Sequence, residues 1–305
     1  MHTAVLTQEV IKYLDPQPGE NFIDCTLGAG GHALAILERN APEGKVLGID
    51  ADSEGLKETQ ARMQDELQPA DQKRIQFTAD NFAHIKEIIR EVKFPPVHGI
   101  LFDLGFSSDQ LERRKRGFSF QRTEPLDMRY DLENPLRAEK IINYWSRQQI
   151  KNILTEYGEE QFANNIAKAI VGTRGAKPIR TTTQLVAIIE GATPKTYHRK
   201  RIHPATKTFQ ALRIAVNNEL ENIQEGLSEA ADVLEPNGRL VVLSFHSLED
   251  RIVKNFLRGT EILTPLIKSP LTPSPEEIEA NPRARSAKLR AAIKKASDPQ
   301  DSEVR

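Results

Sequence analysis

Residues 21–33 read NFIDCTLGAGGHA, an apolar run that passes directly into a glycine-rich stretch. The apolar half predicts a short buried strand, and the glycines end it. Leu34, Ile36 and Leu37 follow at helical spacing, which predicts a helix over residues 32–40. A glycine loop between a strand and a helix lets a ligand approach the backbone and the free N–H groups of the helix N-terminus. The stretch therefore predicts a ligand-binding βα unit.

The alternation of strands and helices continues beyond this unit. Further strands are predicted over residues 45–50, 74–80 and 99–103, with helices over residues 53–67 and 82–92 between them. Strict alternation implies a parallel sheet with right-handed crossovers. The pattern resumes late in the chain with one long helix over residues 209–234, a turn at residues 235–238 and a strand over residues 239–245.

The intervening segment has a different pattern. It contains no convincing strand, only helical stretches such as Leu136–Trp145, Arg147–Tyr157 and Gln161–Val171. The chain is therefore predicted to be α/β, with a doubly wound, mostly parallel, Rossmann-like sheet domain and an inserted all-helical domain. The sheet domain takes residues 1–107 and 206–305, and the insert takes residues 108–205. The last 35 residues are rich in proline and charge, and we expect them to run over the surface.

Composition excludes several classes of protein. The 305 residues suggest about two domains, and 38% apolar residues exclude a disordered polyelectrolyte. A single cysteine excludes a disulfide framework and indicates a reducing compartment. No apolar run approaches the roughly 20 residues of a membrane span, and the first residues do not resemble a signal peptide. We expect a cytoplasmic protein that does not associate with membranes.

The formal net charge of −1 conceals an uneven distribution. Residues 1–110 carry a net charge of −8, whereas residues 161–218 carry ten Lys and Arg and one acid, Glu190, for a net charge of +9. A solvated helical face is one interpretation of the basic segment. Contact with an anion or a nucleic acid is the interpretation that we favour, because nearly sixty residues with one acid is unusual.

The glycine loop permits two cofactors. It satisfies the dinucleotide pattern G-x-G-x-x-A, and Asp50 lies 20 residues after Gly30, where a ribose-binding acid is expected. A nicotinamide oxidoreductase and an S-adenosylmethionine (SAM) methyltransferase both fit. The methyltransferase is favoured because SAM has no pyrophosphate and depends on side chains at several strand ends. Such side chains follow each predicted strand: Asp24, Asp50, Asp80-Asn81-Phe82 and Asp103.

Longer motifs lie in order along nearly the whole chain. They are HTAVL at 2–6, DCTLGAGGH at 24–32, DLGFSSDQL at 103–111, RGFSF at 116–120, PLDMR at 125–129, HPATKTFQALR at 203–213, SFHSLEDR at 244–251 and NPRARSAKLR at 281–290. In these motifs the chain resembles the bacterial small-subunit ribosomal RNA cytosine-N4 methyltransferase family (RsmH, or MraW). It departs from the usual family residues at Ala4, Phe106 and Tyr130, and Phe106 lies next to the expected target pocket.

The resemblance implies a class I SAM-dependent methyltransferase fold and methylation of the exocyclic N4 amine of a single cytidine of 16S rRNA, in the decoding centre at the P site. The cofactor is SAM, its product is S-adenosylhomocysteine (SAH), and the chemistry needs no metal. The partner is 16S rRNA or the small ribosomal subunit, and both a monomer and a homodimer stay open. Carried over by motif, the SAM contacts are Gly30, Gly31, His32, Asp50, Phe82, Asp103 and Gln110.

Three residues are candidates for chemistry. Asp103 is the hypothesised catalytic residue, because an acceptor on the cytosine amine would localise its lone pair and stabilise the developing charge. His246 follows a predicted strand, where a polar role in the pocket and a structural role are equally favoured. Methylation at C5 commonly uses a cysteine nucleophile, and Cys25 is a candidate for that role. Inside a predicted strand, however, Cys25 is more simply interpreted as a small buried side chain.

Basic and aromatic residues suggest where RNA would bind. In one interpretation, Phe118 and Phe120 stack on RNA bases while Arg113, Arg114 and Arg116 contact phosphates. In the other interpretation, the two rings belong to a hydrophobic core. A second basic run is Arg199-Lys200-Arg201, and a third covers residues 283–295 without an acid. A non-catalytic RNA-binding or assembly protein is the competing hypothesis, against which the intact Gly30, Gly31, Asp50 and Asp103 argue.

Overall fold

The computed structural model describes residues 4–105, 115–199 and 202–296. The chain divides by its internal contacts into two compact units. We call Met1–Gly105 together with Leu220–Arg305 the sheet unit, and Phe106–Glu219 the helical unit. None of the helices in the described ranges combines the length and apolar composition that crossing a bilayer requires.

The N-terminal part of the sheet unit alternates strands and helices as predicted. Its elements are α1 (Thr7–Leu14), β1 (Phe22–Asp24), α2 (Gly31–Arg39), β2 (Val46–Asp50), α3 (Ser53–Glu66), α4 (Pro69–Gln72), β3 (Ile75–Ala79), a 3₁₀ turn (Phe82–His84), α5 (Ile85–Glu91) and β4 (Val97–Asp103). Asp52 caps α3 by accepting a hydrogen bond from the backbone N–H of Gly55. All the strands from β1 to β4 pair in parallel.

The described residues of the helical unit contain no extended strand, only an isolated bridge between Pro125 and Thr181. Its helices are α6 (Ala138–Tyr144), α7 (Arg147–Glu156), α8 (Ala163–Arg174), α9 (Thr182–Ala192), α10 (Lys195–His198) and α11 (Thr206–Asn217). Two of these helices begin with a capping box, α7 at Ser146 and α9 at Thr181. A core of their apolar faces includes Ile141, Ile150 and Ile166.

The chain then completes the sheet. The elements are α12 (Glu219–Val233), β5 (Leu234–Ser244), α13 (Ser247–Gly259), β6 (Leu263–Pro265), α14 (Pro275–Ala280), a 3₁₀ turn (Pro282–Ser286) and β7 (Lys288–Lys294). The seven strands lie in the order β3-β2-β1-β4-β5-β7-β6, with β7 antiparallel to both its neighbours. The predicted α/β fold, doubly wound on a mostly parallel sheet, is confirmed.

Successive residues of the central strands pack into different hydrophobic clusters. Phe22 packs in a cluster with residues of α1, α2 and α3, whereas the adjacent Ile23 packs with residues of α5, α12 and α13. Ile100 and Leu101 of β4 divide in the same way. Since successive side chains of a strand point to opposite faces, the sheet is covered by helices on both faces.

Two of three predictions in the C-terminal part are wrong. The single helix over residues 209–234 is two helices, because Asn218 ends α11 in a left-handed conformation with φ 53°. The turn predicted at residues 235–238 is present as an irregularity within β5, because these four residues lie between the pairs Val97–Leu234 and Gly99–Arg239 and Asn237 has φ 66°. The tail expected on the surface contains β7, whose residues Leu289, Ala291 and Ala292 are fully buried between β5 and β6.

The contact division also differs from the boundary at residues 205 and 206. Helix α11 belongs to the helical unit, because Phe209, Leu212 and Val216 pack into its core. The change of unit therefore falls after Glu219 rather than before Thr206.

Candidate functional site

Three acids stand at the carboxyl ends of three adjacent parallel strands. Asp24 ends β1, Asp50 ends β2 and Asp103 ends β4, and β1 lies between the other two. The strand ends are tied together by short bonds: the Thr26 hydroxyl accepts from the backbone N–H of Asp103 at 2.6 Å. Carboxyl ends of parallel strands at a change of strand order are where such sheets bind ligands.

The glycine loop is held from outside by α3 and by Asp50. The carboxylate of Asp50 accepts from the N–H of Gly28 at 2.8 Å, and the Thr59 hydroxyl donates to the carbonyl of Gly28 at 2.7 Å. Arg62 donates to the carbonyl of Ala29. Sequence reasoning assigned Asp50 to a ribose and missed Thr59 and Arg62. Both residues belong to the polar side of α3. In the sequence, that pattern cannot be told from an ordinary solvent-exposed helix face.

Gly30 is required by its conformation, and both Gly30 and Gly31 are closely packed. Gly30 has φ +73°, and a Cβ there would lie 2.9 Å from the sulfur of Met63. A Cβ on Gly31 would lie 3.0 Å from the Cβ of Ala4. Only glycine adopts this left-handed conformation without strain, so the residue that precedes the first turn of α2 is required to be glycine.

Buried His32 and partly buried Asp103 form a pair whose buried polar atoms are unsatisfied. His32 is 4% exposed, and its Nε2 lies 3.5 Å from Oδ2 of Asp103. Neither ring nitrogen of His32, nor Oδ1 of Asp103, has a hydrogen bond to a residue in the described ranges. Burial lowers the pKa of His32, but Asp103, and Asp24 more weakly, raise it further, so the net shift is upward. Unsatisfied buried polar atoms are costly, so these atoms need a further partner, either bound water or a ligand.

Asp24 is the most deeply buried of the three acids, at 1% exposed. Burial raises the pKa of its carboxyl to about 6, against the opposing charge of His32. Asp103 and Asp50 add to the rise because like charges repel. The N–H of Thr26 donates a hydrogen bond to the Asp24 carboxylate at 3.2 Å.

Phe82 lies just beyond β3, as predicted, but its ring faces the core on two sides. It meets the ring of Phe102 edge-on with centroids 5.3 Å apart, and a Cβ on Gly226 would lie 2.7 Å from it. Beside it, Asn81 caps the 3₁₀ turn and Asp80 contacts His84 at 2.9 Å. The predicted SAM contact Gln110 lies outside the described residues.

His246 caps a helix. It is the residue before α13, and its Nδ1 accepts from the N–H of Glu249, while the Glu249 carboxylate accepts from the N–H groups of Phe245 and His246. This reciprocal arrangement satisfies free N–H groups of the first turn. The geometry therefore supports the structural one of the two roles predicted for His246.

The predicted RNA contacts divide into buried and exposed residues. Arg116 is buried and donates to the carbonyls of Arg129 and Tyr130, so the prediction that it contacts phosphate at the surface is wrong. Phe118 stacks on Tyr130 in the core of the helical unit, whereas the partly buried Phe120 packs against that core and stacks on the exposed ring of His203. Arg199 is exposed. Arg113, Arg114, Lys200 and Arg201 lie outside the described residues.

The basic run near the C-terminus is largely engaged within the sheet unit. Lys288 and Arg290 both pair with Asp250, at 3.0 and 2.7 Å. Lys294 donates to the carbonyls of Asp232 and Leu234. The absence of acids within this run predicted an RNA contact, but the acid that neutralises two of its members is 38 and 40 residues away in sequence.

Cys25 is buried at 1% exposed, and burial raises its pKa, with Asp24 adding to the effect. A thiolate is therefore disfavoured, and with it a nucleophilic role. We expect Cys25→Ser to retain methyl transfer within about twofold, because the substitution keeps a small buried side chain. Initial rates with radiolabelled SAM measure this. A Cys25→Ser variant that stays folded yet loses its activity would contradict it.

The chain is similar in sequence to one family of proteins over nearly its whole length. A model of the MraW methylase family matches residues 1–295. The Thermomicrobium roseum protein named ribosomal RNA small subunit methyltransferase H is 46% identical, over 97% of this chain and 94% of that protein. The protein of that name from Syntrophus aciditrophicus is 42% identical, over 95% and 96%. An rRNA methylase structure from Streptococcus thermophilus aligns over 97% of this chain and 99% of its own, with 12% identity and a TM-score of 0.46.

Proposed function

Since the chain belongs to the MraW methylase family, we propose that it is a SAM-dependent methyltransferase of small-subunit ribosomal RNA. Its target is the exocyclic N4 amine of a single cytidine of 16S rRNA, in the decoding centre at the P site. The observation that carries the proposal is the set of buried, unsatisfied polar atoms on His32 and Asp103 beside the glycine loop. This substrate places the enzyme in the cytoplasm, with the small subunit.

The residues present fit SAM. Gly30 and Gly31 lead into the N-terminus of α2, whose free N–H groups suit a polar ligand, and Met63 and Ala4 pack closely against them. The carboxylate of Asp50 stands at the end of β2, where an acid binds a ribose. The unsatisfied atoms of His32 and Asp103 supply polar partners at the centre of the strand ends. Phe82 and Gln110 complete the contacts that the family implies.

SAM, when bound, supplies a methyl group on a sulfonium that is already a good leaving group. What the protein must do is hold the amine nitrogen in line with that methyl group, in a near-attack geometry. Asp103 is suited to this task because its backbone is fixed by Thr26 and its Oδ2 faces His32, which leaves Oδ1 to accept an N–H from the amine. Such an acceptor draws the nitrogen lone pair out of the ring and stabilises the positive charge that develops.

The choice of N4 over C5 is supported by Cys25. Methylation at C5 commonly needs a cysteine thiolate, and the one cysteine of this chain is buried with a raised pKa. An amine target needs no covalent intermediate. The target base must leave its stack to reach a buried donor, and the cost of unstacking is a few kcal/mol.

We assign the contacts with the RNA backbone to the helical unit. Lys168, Lys177, Lys195 and Arg199 are exposed on it, within the segment of net charge +9. Exposed cations of this density dock RNA through phosphates and shape, while the pocket reads the base edge.

Raising salt should weaken RNA binding much more than SAM binding. Between about 50 and 200 mM salt, RNA affinity is expected to fall about a hundredfold or more, because counterions released from phosphates oppose binding. Filter binding for RNA and calorimetry for SAM measure the two affinities. Arg199→Ala should reduce the salt slope by about one, whereas Lys57→Ala, on the sheet unit, should not change it. RNA affinity that does not respond to salt would remove this role from the helical unit.

The decisive experiment maps the modified nucleotide. Small subunits from cells that lack this protein are incubated with the enzyme and radiolabelled SAM, and the labelled nucleoside is identified by mass spectrometry. N4-methylcytidine at one decoding-centre position is the expected product. A C5-methylated cytidine, or label in another RNA, would overturn the proposal.

A further inference from the structure

The strand-end cluster contains more negative than positive charge. Asp24 ends β1, which lies between β2, ending at Asp50, and β4, ending at Asp103, and Nε2 of His32 on α2 lies 3.5 Å from Oδ2 of Asp103. The buried thiol of Cys25 follows Asp24 directly in the chain. Within the described part of the cluster, three carboxylates therefore face one imidazole. Asp24 has the least access to water, at 1% exposed, so it receives the largest share of the cost of unbalanced charge.

One more positive charge would relieve this imbalance. SAM carries it on its sulfonium, whereas SAH has a neutral thioether. SAM and SAH otherwise differ only by the methyl group. A buried carboxylate whose ionisation responds to the charge of the sulfonium therefore differs in protonation between the SAM complex and the SAH complex. This reasoning rests on the placement of SAM proposed above.

We propose that Asp24 is a charge-sensing residue that favours SAM over SAH: its carboxylate is ionised while the sulfonium is bound and is the first group of the cluster to take up a proton when the neutral product replaces it. When SAM binds to the protonated site, the O–H bond of the Asp24 carboxyl breaks and the proton passes to the buffer, with no change of oxidation state. Product release at neutral pH is helped because SAH leaves the repulsion among Asp24, Asp50 and Asp103 unrelieved.

The sign of the pH dependence follows from the raised pKa of Asp24, about 6 in the protein without ligand. Below that pH the carboxyl is protonated, and SAM must displace the proton to gain the favourable interaction. SAM affinity should therefore rise as the pH rises through 6, by about tenfold for each unit by which SAM lowers the pKa of Asp24. SAH affinity should change little over the same range. Burial lowers the pKa of His32, but Asp103 and, more weakly, Asp24 raise it, so its net shift is upward.

Isothermal titration calorimetry of SAM and of SAH tests the proposal in the unmodified protein. Titrations between about pH 5 and pH 7 are run in two buffers of different ionisation enthalpy, so that the difference in heat counts the protons released. We expect release for SAM, largest near pH 6, and none for SAH. Equal release and parallel pH dependences for SAM and SAH would overturn the proposal.

Variants assign the proton to Asp24. Asp24→Asn keeps an acceptor for the N–H of Thr26 and should abolish both the release and the pH-dependent preference for SAM. His32→Gln should move the release to higher pH, because the imidazole lowers the pKa of Asp24. Near-UV circular dichroism checks that each variant is folded. Release by Asp24→Asn equal to that of the unmodified protein would overturn the proposal.

Two further variants separate this inference from the placement of SAM. If Asp50→Asn and Asp103→Asn weaken SAM binding while Asp24→Asn retains the original pH dependence, the placement stands and the role of Asp24 is wrong. If Asp50→Asn and Asp103→Asn both bind SAM unchanged, SAM binds elsewhere and both proposals fail.

Discussion

Asp103→Asn is expected to lower kcat for methyl transfer by about 10²–10³-fold, the usual effect of removing one preorganised electrostatic partner of a transition state. The substitution preserves the shape of the side chain and the backbone bond from Asp103 to Thr26. It removes the negative charge that faces His32 at 3.5 Å and that would stabilise the amine as it becomes positive. The loss should therefore appear in the chemical step.

Single-turnover kinetics with saturating SAM and RNA measure that step directly, and calorimetry gives SAM affinity separately. Asp65→Asn, an exposed change on α3, is the matched control and should leave the rate unchanged. A folded Asp103→Asn variant with undiminished single-turnover rate would remove Asp103 from this role.

Glu219→Gln is expected to cost the protein about 3 kcal/mol of unfolding free energy, because it leaves a buried guanidinium without its counter-charge. Arg213 and Glu219 are each 9% exposed and form two parallel bonds of 2.8 Å. The Tyr130 hydroxyl also donates to this carboxylate, at 3.2 Å. Burial makes such a pair costly to break, although its net contribution compared with apolar residues is small.

Urea unfolding followed by circular dichroism measures the loss. Glu225→Gln, an exposed change on the same helix α12, is the control and should cost less than about 0.5 kcal/mol. Replacing both Arg213 and Glu219 by Met should restore much of the stability, since neither charge is then buried alone. A Glu219→Gln variant as stable as Glu225→Gln would show that the pair is not needed to keep Arg213 buried.

The sheet and its glycine loop were accessible from the sequence because their signals are local. Apolar runs that end at Asp24, Asp50 and Asp103 predict strands, and the glycines between Thr26 and His32 predict a loop, each within a few residues. The family motifs placed the same residues in a methyltransferase. These patterns determined the fold class and most of the residues that we assign to the cofactor.

Other features depend on distant partners. Strand β7 was missed because Lys288 and Arg290 make it look like a solvated segment, and only their pairing with Asp250 explains two cations on a strand inside the sheet. Arg116 was assigned to RNA from its basic neighbours, yet its guanidinium is buried against the carbonyls of Arg129 and Tyr130. Whether a charged side chain has a structural or a functional role depends on which groups neutralise its charge.

By itself, the sequence determined that this chain has a parallel α/β sheet, a glycine loop for a cofactor and the motifs of one methylase family, since spacing and residue type carry that information. Only the tertiary structure decided which of its charges are buried and against what. Asp24 is the clearest case: a strand-end acid like Asp50 in sequence, it is enclosed by β2, β4 and α2, and this burial raises its pKa to about 6.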